Sequence, residues 1–164
     1  MEVTKENLKI NTIKEEGNLG VYSYEPLPTG FGYTLANALR RVLLSSIKGS
    51  AATQVKITGA THQFTTINGV KEDIVEITLN LKKLRFKSHS EEPVVVTINK
   101  KGAGKVTAKD IELTSDIEIM NKDQIIATLA DAKSKLEMEM VVEQGVGYSP
   151  MEERQTSKMG VIIL

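Results

Sequence analysis

The residues of this chain whose types suit catalysis or metal binding are few and widely separated. His62 and His89 are the only histidines, and neither has a carboxylate or a second histidine at metal-ligand spacing. The sequence contains no cysteine, which excludes disulfides, thiolate metal sites and cysteine nucleophiles. We therefore interpret both histidines as surface or turn residues, and we predict no catalytic residue, no metal site and no cofactor.

A lysine- and glycine-rich segment at residues 100–107, KKGAGKVT, invites comparison with a phosphate-binding loop. The P-loop pattern requires a glycine five positions before its second glycine, and Asn99 stands there. It also requires Ser or Thr after the lysine, whereas Lys105 is followed by Val106. We predict a β-hairpin turn at this segment instead of a nucleotide site.

A repeated Asp-Ile-Glu triplet places four carboxylates close together in sequence, at Asp110, Glu112, Asp116 and Glu118. Carboxylates two residues apart on a strand share a face, so Mg²⁺ binding is one interpretation. The favoured interpretation is a solvated strand face whose isoleucines point inward. Nothing in the sequence resembles the closely spaced aspartates with which nucleotidyl transfer holds two metal ions.

The composition is that of an ordinary globular protein of one or two small domains. The chain has 164 residues, 40% hydrophobic and 26% charged, with 21 basic and 21 acidic side chains. Zero net charge, 4% aromatic residues and no Trp argue against a general nucleic-acid-binding protein. The amino terminus lacks a signal-peptide core, and no stretch approaches the roughly 18 apolar residues of a membrane span. We expect a cytoplasmic protein without a membrane contact.

Hydrophobic periodicity predicts a mixed set of strands and helices. Alternation predicts a hairpin of strands at 8–14 and 19–25, and helical spacing predicts a helix at 34–47 that Gly49 stops. A second helix is predicted at 71–84, where Ile74, Ile77, Leu81 and Leu84 share a face. The remaining chain is mostly strand, with turns at Gly102/Gly104 and Gly145/Gly147 and the best candidates at 53–58, 93–100, 124–129 and 136–142.

The predicted helix at 34–47 carries apolar side chains on two sides. Leu35, Leu39 and Val42 form a stripe that should pack on the sheet. Leu44 falls about 180° away, beside Arg40 and Arg41, where a surface helix is normally polar. The residues leave two interpretations open. Either Leu44 and the arginines form a protein-binding patch, or another part of the same fold covers Leu44.

Four segments of the chain together resemble one known family. They are EPLPTGFGYTLANALRRVLLSSIKGSA at 25–51, NGVKEDIVEITLNLKKL at 68–84, VTAKDI at 106–111 and GVGYSP at 145–150. In this order they resemble the amino-terminal domain of the bacterial RNA polymerase alpha subunit. The similarity runs from about residue 8 to the last residue. The apolar end GVIIL, at 160–164, further suggests that the natural protein continues.

The resemblance implies an α+β fold and a structural role in transcription. It implies a partial dimerisation domain at 1–48, a β-hairpin plus a long helix, followed by a strand-rich mixed α/β insert domain at 49–164. Family members are non-catalytic subunits of a nucleotidyltransferase complex that dimerise and recruit the beta and beta-prime subunits. The resemblance thus implies a cytoplasmic, nucleoid-associated protein whose present segment makes no direct nucleic-acid contact. It also implies that the end of the dimerisation domain and a carboxy-terminal domain are missing.

The resemblance also implies roles for individual residues, position by position. Arg41 and Leu44, with Arg40 beside them, correspond to the side that binds the beta subunit. Lys82, in the Asn-Leu-Lys motif, and Leu164 correspond to positions on the beta-prime side. The dimer interface is expected to include four apolar residues: Phe31, just before the predicted helix, and Leu35, Leu39 and Leu43 within it.

Two other classes of function are possible alternatives. A small phosphate-binding enzyme would use the loop at 100–107, and would lose a retained nucleotide on changing Lys105. A nucleic-acid-binding module would show an affinity that falls steeply with salt. The first lacks a site and the second lacks charge and aromatic residues.

Overall fold

The computed structural model describes residues 8–150, 154 and 160–164. They divide into two compact units, with the boundary between Ser46 and Ile47. The first unit contains β1 (Lys9–Glu16), β2 (Leu19–Glu25) and α1 (Phe31–Ser45). The second contains α2 (Ile74–Leu81) and nine strands: β3 (Lys48–Ile57), β4 (Phe86–Ser88), β5 (Val94–Lys101), β6 (Gly104–Thr107), β7 (Ile111–Glu112), β8 (Ile117–Ile119), β9 (Ile125–Leu129), β10 (Lys135–Val146) and β11 (Val161–Ile163).

Strands β1 and β2 of the first unit pair antiparallel around a tight turn at Gly17 and Asn18. Gly17 has a φ of 55°, in the left-handed region that glycine adopts at little cost. Helix α1 begins at Phe31, three residues before its predicted start at 34, because Gly30 makes the preceding turn with a φ of 84°. It ends at Ser45, so the predicted end at 47 with Gly49 as its stop is wrong: Gly49 lies in β3, paired with Gly145.

The apolar stripe of α1 is not buried as the sequence predicted. No residue of α1 is buried: Leu35 and Leu39 are half-buried, and Val42 is 54% exposed. The physical reason is the small size of the first unit. Its described elements are one hairpin and one helix, and none of them contains a buried residue. The packing of this stripe on a sheet is therefore a wrong prediction for this structure.

One antiparallel sheet organises the second unit. Its strands follow the order β7, β5, β10, β3, β4, β8, and β11 pairs with β3 as well. Strand β10 is central, since it pairs along eight residues with β5 and along most of β3. Alternate residues of β10 point into the core, as the period of a strand requires: Leu136, Met138, Met140 and Val142 are buried.

Helix α2 closes this core and packs against β9. Ile74, Ile77, Leu81 and Leu84 are all buried, which confirms their predicted shared face. The helix is shorter than the predicted 71–84. It begins after Asp73, whose carboxylate accepts the Glu76 amide hydrogen bond at 2.7 Å, and ends in the turn that follows Leu81.

Two turn predictions in the second unit need correction. Residues 100–107 do not form a hairpin: β5 belongs to the large sheet, whereas β6 pairs with β9 in a separate two-stranded sheet. Gly145 lies inside β10, and the turn follows at Gly147, whose φ is 68°. Neither described helix has the length and apolarity that crossing a membrane requires.

Candidate functional site

Helix α1 presents large side chains on two opposite sides. Leu44 lies nine residues after Leu35, about half a turn round the helix, and is 68% exposed. Arg40 and Arg41 are exposed on the same side as Leu44. The structure thus brings together the three residues predicted as a beta-subunit patch, with their side chains accessible to a partner.

The other side of α1 carries the residues predicted for a dimer interface. Phe31 and Leu43 are exposed, whereas Leu35 and Leu39 are half-buried between them. At about 100° per residue these four side chains span roughly one third of the helix circumference. An apolar stripe of this width is typical of a helix face that packs against another element.

Lys82 and Leu164, 82 positions apart in sequence, line the same cleft of the second unit. The cleft has a volume of about 390 Å³ and is also lined by Leu81, Leu84, Tyr148 and Arg154. Leu164 donates its amide hydrogen bond to the Thr53 carbonyl oxygen at 2.9 Å and is only 8% exposed. Lys82 is exposed, so it offers a partner far more surface than Leu164 does.

Sequence reasoning missed the other polar residues of this cleft. Arg154 donates from Nε to the Ser149 hydroxyl at 2.9 Å and from Nη2 to the Ser149 carbonyl oxygen at 3.2 Å. Tyr148 is largely exposed beside it. The GVGYSP motif contained Tyr148 and Ser149, but nothing in the sequence indicated that Arg154 would reach the same cleft.

The two histidines make contacts that sequence spacing did not indicate. His89 Nε2 lies 2.9 Å from Glu118 Oε1 across the β4–β8 pair. The hydrogen bond from His89 and the nearby charge of Lys87 lower the pKa of Glu118. The Nδ1 atom of His62 accepts a hydrogen bond from the Phe64 amide at 3.2 Å. Both histidines lie at exposed positions, as predicted; the His62 contact is local, whereas the His89 contact joins residues 29 positions apart.

The repeated Asp-Ile-Glu triplets are arranged largely as the favoured interpretation predicted. Ile111 and Ile117 are buried, with the flanking glutamates exposed. Asp110, however, lies in a 3₁₀ turn instead of a strand, where Lys100 Nζ donates to it at 2.7 Å. Within residues 8–150, 154 and 160–164, no group of three or more His, Cys, Asp or Glu side chains is placed to hold a metal ion.

The antiparallel sheet and the capped helix define the second unit as a strand-rich α+β domain. A family model described as "RNA polymerase Rpb3/RpoA insert domain" matches residues 55–164. Curated relatives named "DNA-directed RNA polymerase subunit alpha" match a longer part of the chain. The relative from Roseiflexus sp. (strain RS-1) is 47% identical over 154 residues, 94% of this chain and 48% of that protein.

Two further relatives carry the same name. The one from Oceanobacillus iheyensis is 44% identical over 164 residues, all of this chain and 52% of that protein. The one from Corynebacterium efficiens is 57% identical over 126 residues, 77% of this chain and 37% of that protein. This chain belongs to the family of bacterial RNA polymerase alpha subunits. It spans about half the length of the curated relatives that match most of it.

Proposed function

We propose that the chain is a non-catalytic assembly scaffold of DNA-directed RNA polymerase, a nucleotidyltransferase complex of the bacterial cytoplasm and nucleoid. In this role it pairs with a second alpha chain and recruits the beta and beta-prime subunits. The observation that carries the proposal is helix α1, a fifteen-residue helix with no buried residue and large side chains on opposite sides. A helix that buries neither face within its own unit gains most of its stability from partners.

The dimer contact is assigned to the stripe of Phe31, Leu35, Leu39 and Leu43. Covering large apolar side chains contributes about 25 cal/mol for each Å² removed from water. Two copies of one helix face can bury each other, because a two-fold axis brings the same patch of both chains together. The residues 1–48 are proposed as the corresponding part of a dimerisation domain, and 49–164 as the insert domain.

The beta-subunit contact is assigned to Arg41 and Leu44, with Arg40 beside them. Arg41 and Leu44 lie three residues apart, so their side chains are neighbours on the helix surface. Leucine supplies apolar area that is desolvated on binding, and a guanidinium group supplies a two-pronged hydrogen-bond donor for a carboxylate. Arginine is enriched among the residues that carry most of the binding energy at the centres of protein interfaces.

The beta-prime contact is assigned to the cleft with Lys82 and Leu164 on its wall. Lys82 offers an exposed cation, and the apolar wall formed by Leu81, Leu84 and Leu164 offers area for a partner side chain. Arg154 adds a second cation to the same cleft. The combination suits a partner segment that carries at least one carboxylate. None of these contacts involves nucleic acid or a membrane.

The decisive experiment measures a melting midpoint and an affinity for the isolated beta subunit on the same variants of the alpha chain. Arg41→Ala should leave the midpoint almost unchanged, because exposed substitutions usually alter stability by less than about 0.5 kcal/mol. It should weaken beta-subunit binding by about 30-fold, the equivalent of roughly 2 kcal/mol for a central interface arginine. Arg41→Lys should restore only part of the affinity, since an ammonium group cannot form the two-pronged contact.

Arg85→Ala is the matched control, because Arg85 is an exposed arginine of the second unit. It should change neither quantity. An Arg41→Ala variant that melts early but binds the beta subunit normally would make Arg41 a structural residue, and the assignment of the two faces of α1 would be wrong.

A further inference from the structure

The two adjacent lysines after α2 are held very differently. Lys83 Nζ donates to the side-chain oxygen of Asn80 at 3.1 Å, so its ammonium group is folded back onto the helix. Lys82 is exposed, and its ammonium group makes no ion pair or hydrogen bond within the described part of the chain. Of the pair, Lys82 is therefore the one whose charge is available to a partner.

The turn that carries Lys82 is fixed at both ends by buried leucines. Leu81 is 1% exposed and Leu84 is 6% exposed, and the Leu84 amide donates to the Leu81 carbonyl oxygen at 3.0 Å. The four residues 81–84 thus form a closed turn with Lys82 near its tip. Because both leucines belong to the core, the turn has little freedom to move as a unit.

A single side chain from the segment between β8 and β9 closes this turn from outside. Asn121 Nδ2 donates to the Lys83 carbonyl oxygen at 2.9 Å, and Asn121 Oδ1 accepts from the Arg85 amide at 2.8 Å. Asparagine is suited to this place because its amide carries a donor and an acceptor together. Aspartate would retain the acceptor for Arg85 but would set a carboxylate against the Lys83 carbonyl oxygen.

We propose that Asn121 is a positioning residue for the contact of Lys82 with beta-prime. The inference rests on the proposed function of Lys82. Asn121 bonds the backbone on the carboxyl side of Lys82, at the Lys83 carbonyl oxygen and the Arg85 amide. In this proposal these two bonds restrain the backbone and so the direction in which the Cα–Cβ bond of Lys82 leaves the surface. Fixing that direction before association lowers the conformational entropy lost when the ammonium group meets a carboxylate of the partner.

The test is a double-mutant cycle read as affinity for beta-prime, with Lys82→Ala, Asn121→Ala and the double variant. We expect Asn121→Ala to weaken binding about fivefold when Lys82 is present and to have almost no effect when Lys82 is already alanine. Asn121→Asp is a second variant that keeps the hydrogen bond from the Arg85 amide, and it should show the same dependence on Lys82. Asn99→Ala, a change of the same size at a strand position outside the turn, should leave beta-prime affinity unchanged.

Affinity for the beta subunit, measured on every variant, separates positioning from damage to the fold. A positioning role predicts that beta-subunit affinity stays constant while beta-prime affinity falls. If Lys82→Ala leaves beta-prime affinity unchanged, the proposed contact itself is wrong. If Lys82→Ala weakens binding but the effect of Asn121→Ala or Asn121→Asp is equally large without Lys82, the contact stands and the positioning role is overturned.

Discussion

Gly69 occupies a position of the second unit where any side chain should be costly. It is the third residue of the turn from Ile67 to Val70, which the Val70 amide closes with a 3.1 Å hydrogen bond to Ile67. Its φ is 80°, and its own carbonyl oxygen accepts a hydrogen bond from the Ala130 amide at 2.9 Å. A side chain there would meet Ser134, since a Cβ atom on Gly69 would lie 2.8 Å from Ser134 Cβ.

We predict that Gly69→Ala destabilises the chain by roughly 2–5 kcal/mol. The left-handed backbone costs alanine about 1–2 kcal/mol. Crowding against Ser134 adds about 1–3 kcal/mol, the usual cost of overpacking, because Ser134 is buried and cannot simply swing away. Gly59→Ala is the matched control, because Gly59 has a φ of 91° but open space where the Cβ atom would stand. It should cost only the backbone contribution.

The measurement is the free energy of unfolding in denaturant for each variant, with a rescue variant that combines Gly69→Ala and Ser134→Gly. Removing the Ser134 side chain takes away the crowding. The combined variant should therefore lose less stability than the sum of the losses caused by Gly69→Ala and Ser134→Gly separately, and its loss should be closer to that of Gly59→Ala. The reasoning is refuted if Gly69→Ala is no more destabilising than Gly59→Ala.

Two further predictions concern the pH dependence of stability and the core face of α2. Burial alone raises the pKa of Asp110, but hydrogen bonds from Lys100 and the Thr107 amide outweigh this and hold that pKa below its ordinary value. Asp110 therefore stabilises the fold above the unfolded-state pKa of about 3.9, and this contribution is lost as pH falls through the lower folded-state pKa. Asp110→Asn should cost about 1.5–3 kcal/mol in urea unfolding at pH 7 and much less in strong acid; an equal cost at both would contradict the assignment. Ile77→Ala should lower the free energy of unfolding by about 2–5 kcal/mol, because Ile77 is buried in the core. Leu79→Ala, on the exposed side of the same helix, should lower it by less than about 0.5 kcal/mol. Equal losses for the two variants in thermal unfolding would show that the core face of α2 is wrongly assigned.

Local patterns predicted the elements whose side chains alternate between core and solvent. The face of α2 was predictable because Ile74, Ile77 and Leu81 recur at helical spacing. The predicted strand at 93–100 differs from β5 by one residue at each end, because Pro93 stands immediately before the first residue of the strand, Val94. The extent of α2 was overestimated at both ends. Asp73 caps the helix at its start, and after Leu81 the Lys83 and Leu84 amides bond three residues back, to Asn80 and Leu81, which makes a tighter turn than an α-helix.

Pairing between distant strands was beyond the reach of these patterns. The sequence around Gly102 is typical of a hairpin turn, yet β5 pairs with β10 and β6 with β9. The pairing partner of a strand depends on contacts with residues far away in the sequence, and the local composition does not reveal these contacts. The same distinction applies to the candidate sites. Helical spacing alone predicts that Arg41 and Leu44 are neighbours, whereas only the folded structure shows that Lys82 and Leu164 line one cleft.

The pairing of β3 has a consequence for the order in which the chain is made. Its main partner, β10, begins at Lys135, and β11 begins at Val161, so both are synthesised long after β3 ends at Ile57. During that interval a ten-residue strand carrying Val55 and Ile57 has neither of these neighbours, and an unpaired apolar strand is prone to join another chain. The topology therefore leaves Val55 and Ile57 without their strand neighbours until the residues from Lys135 onward have been synthesised.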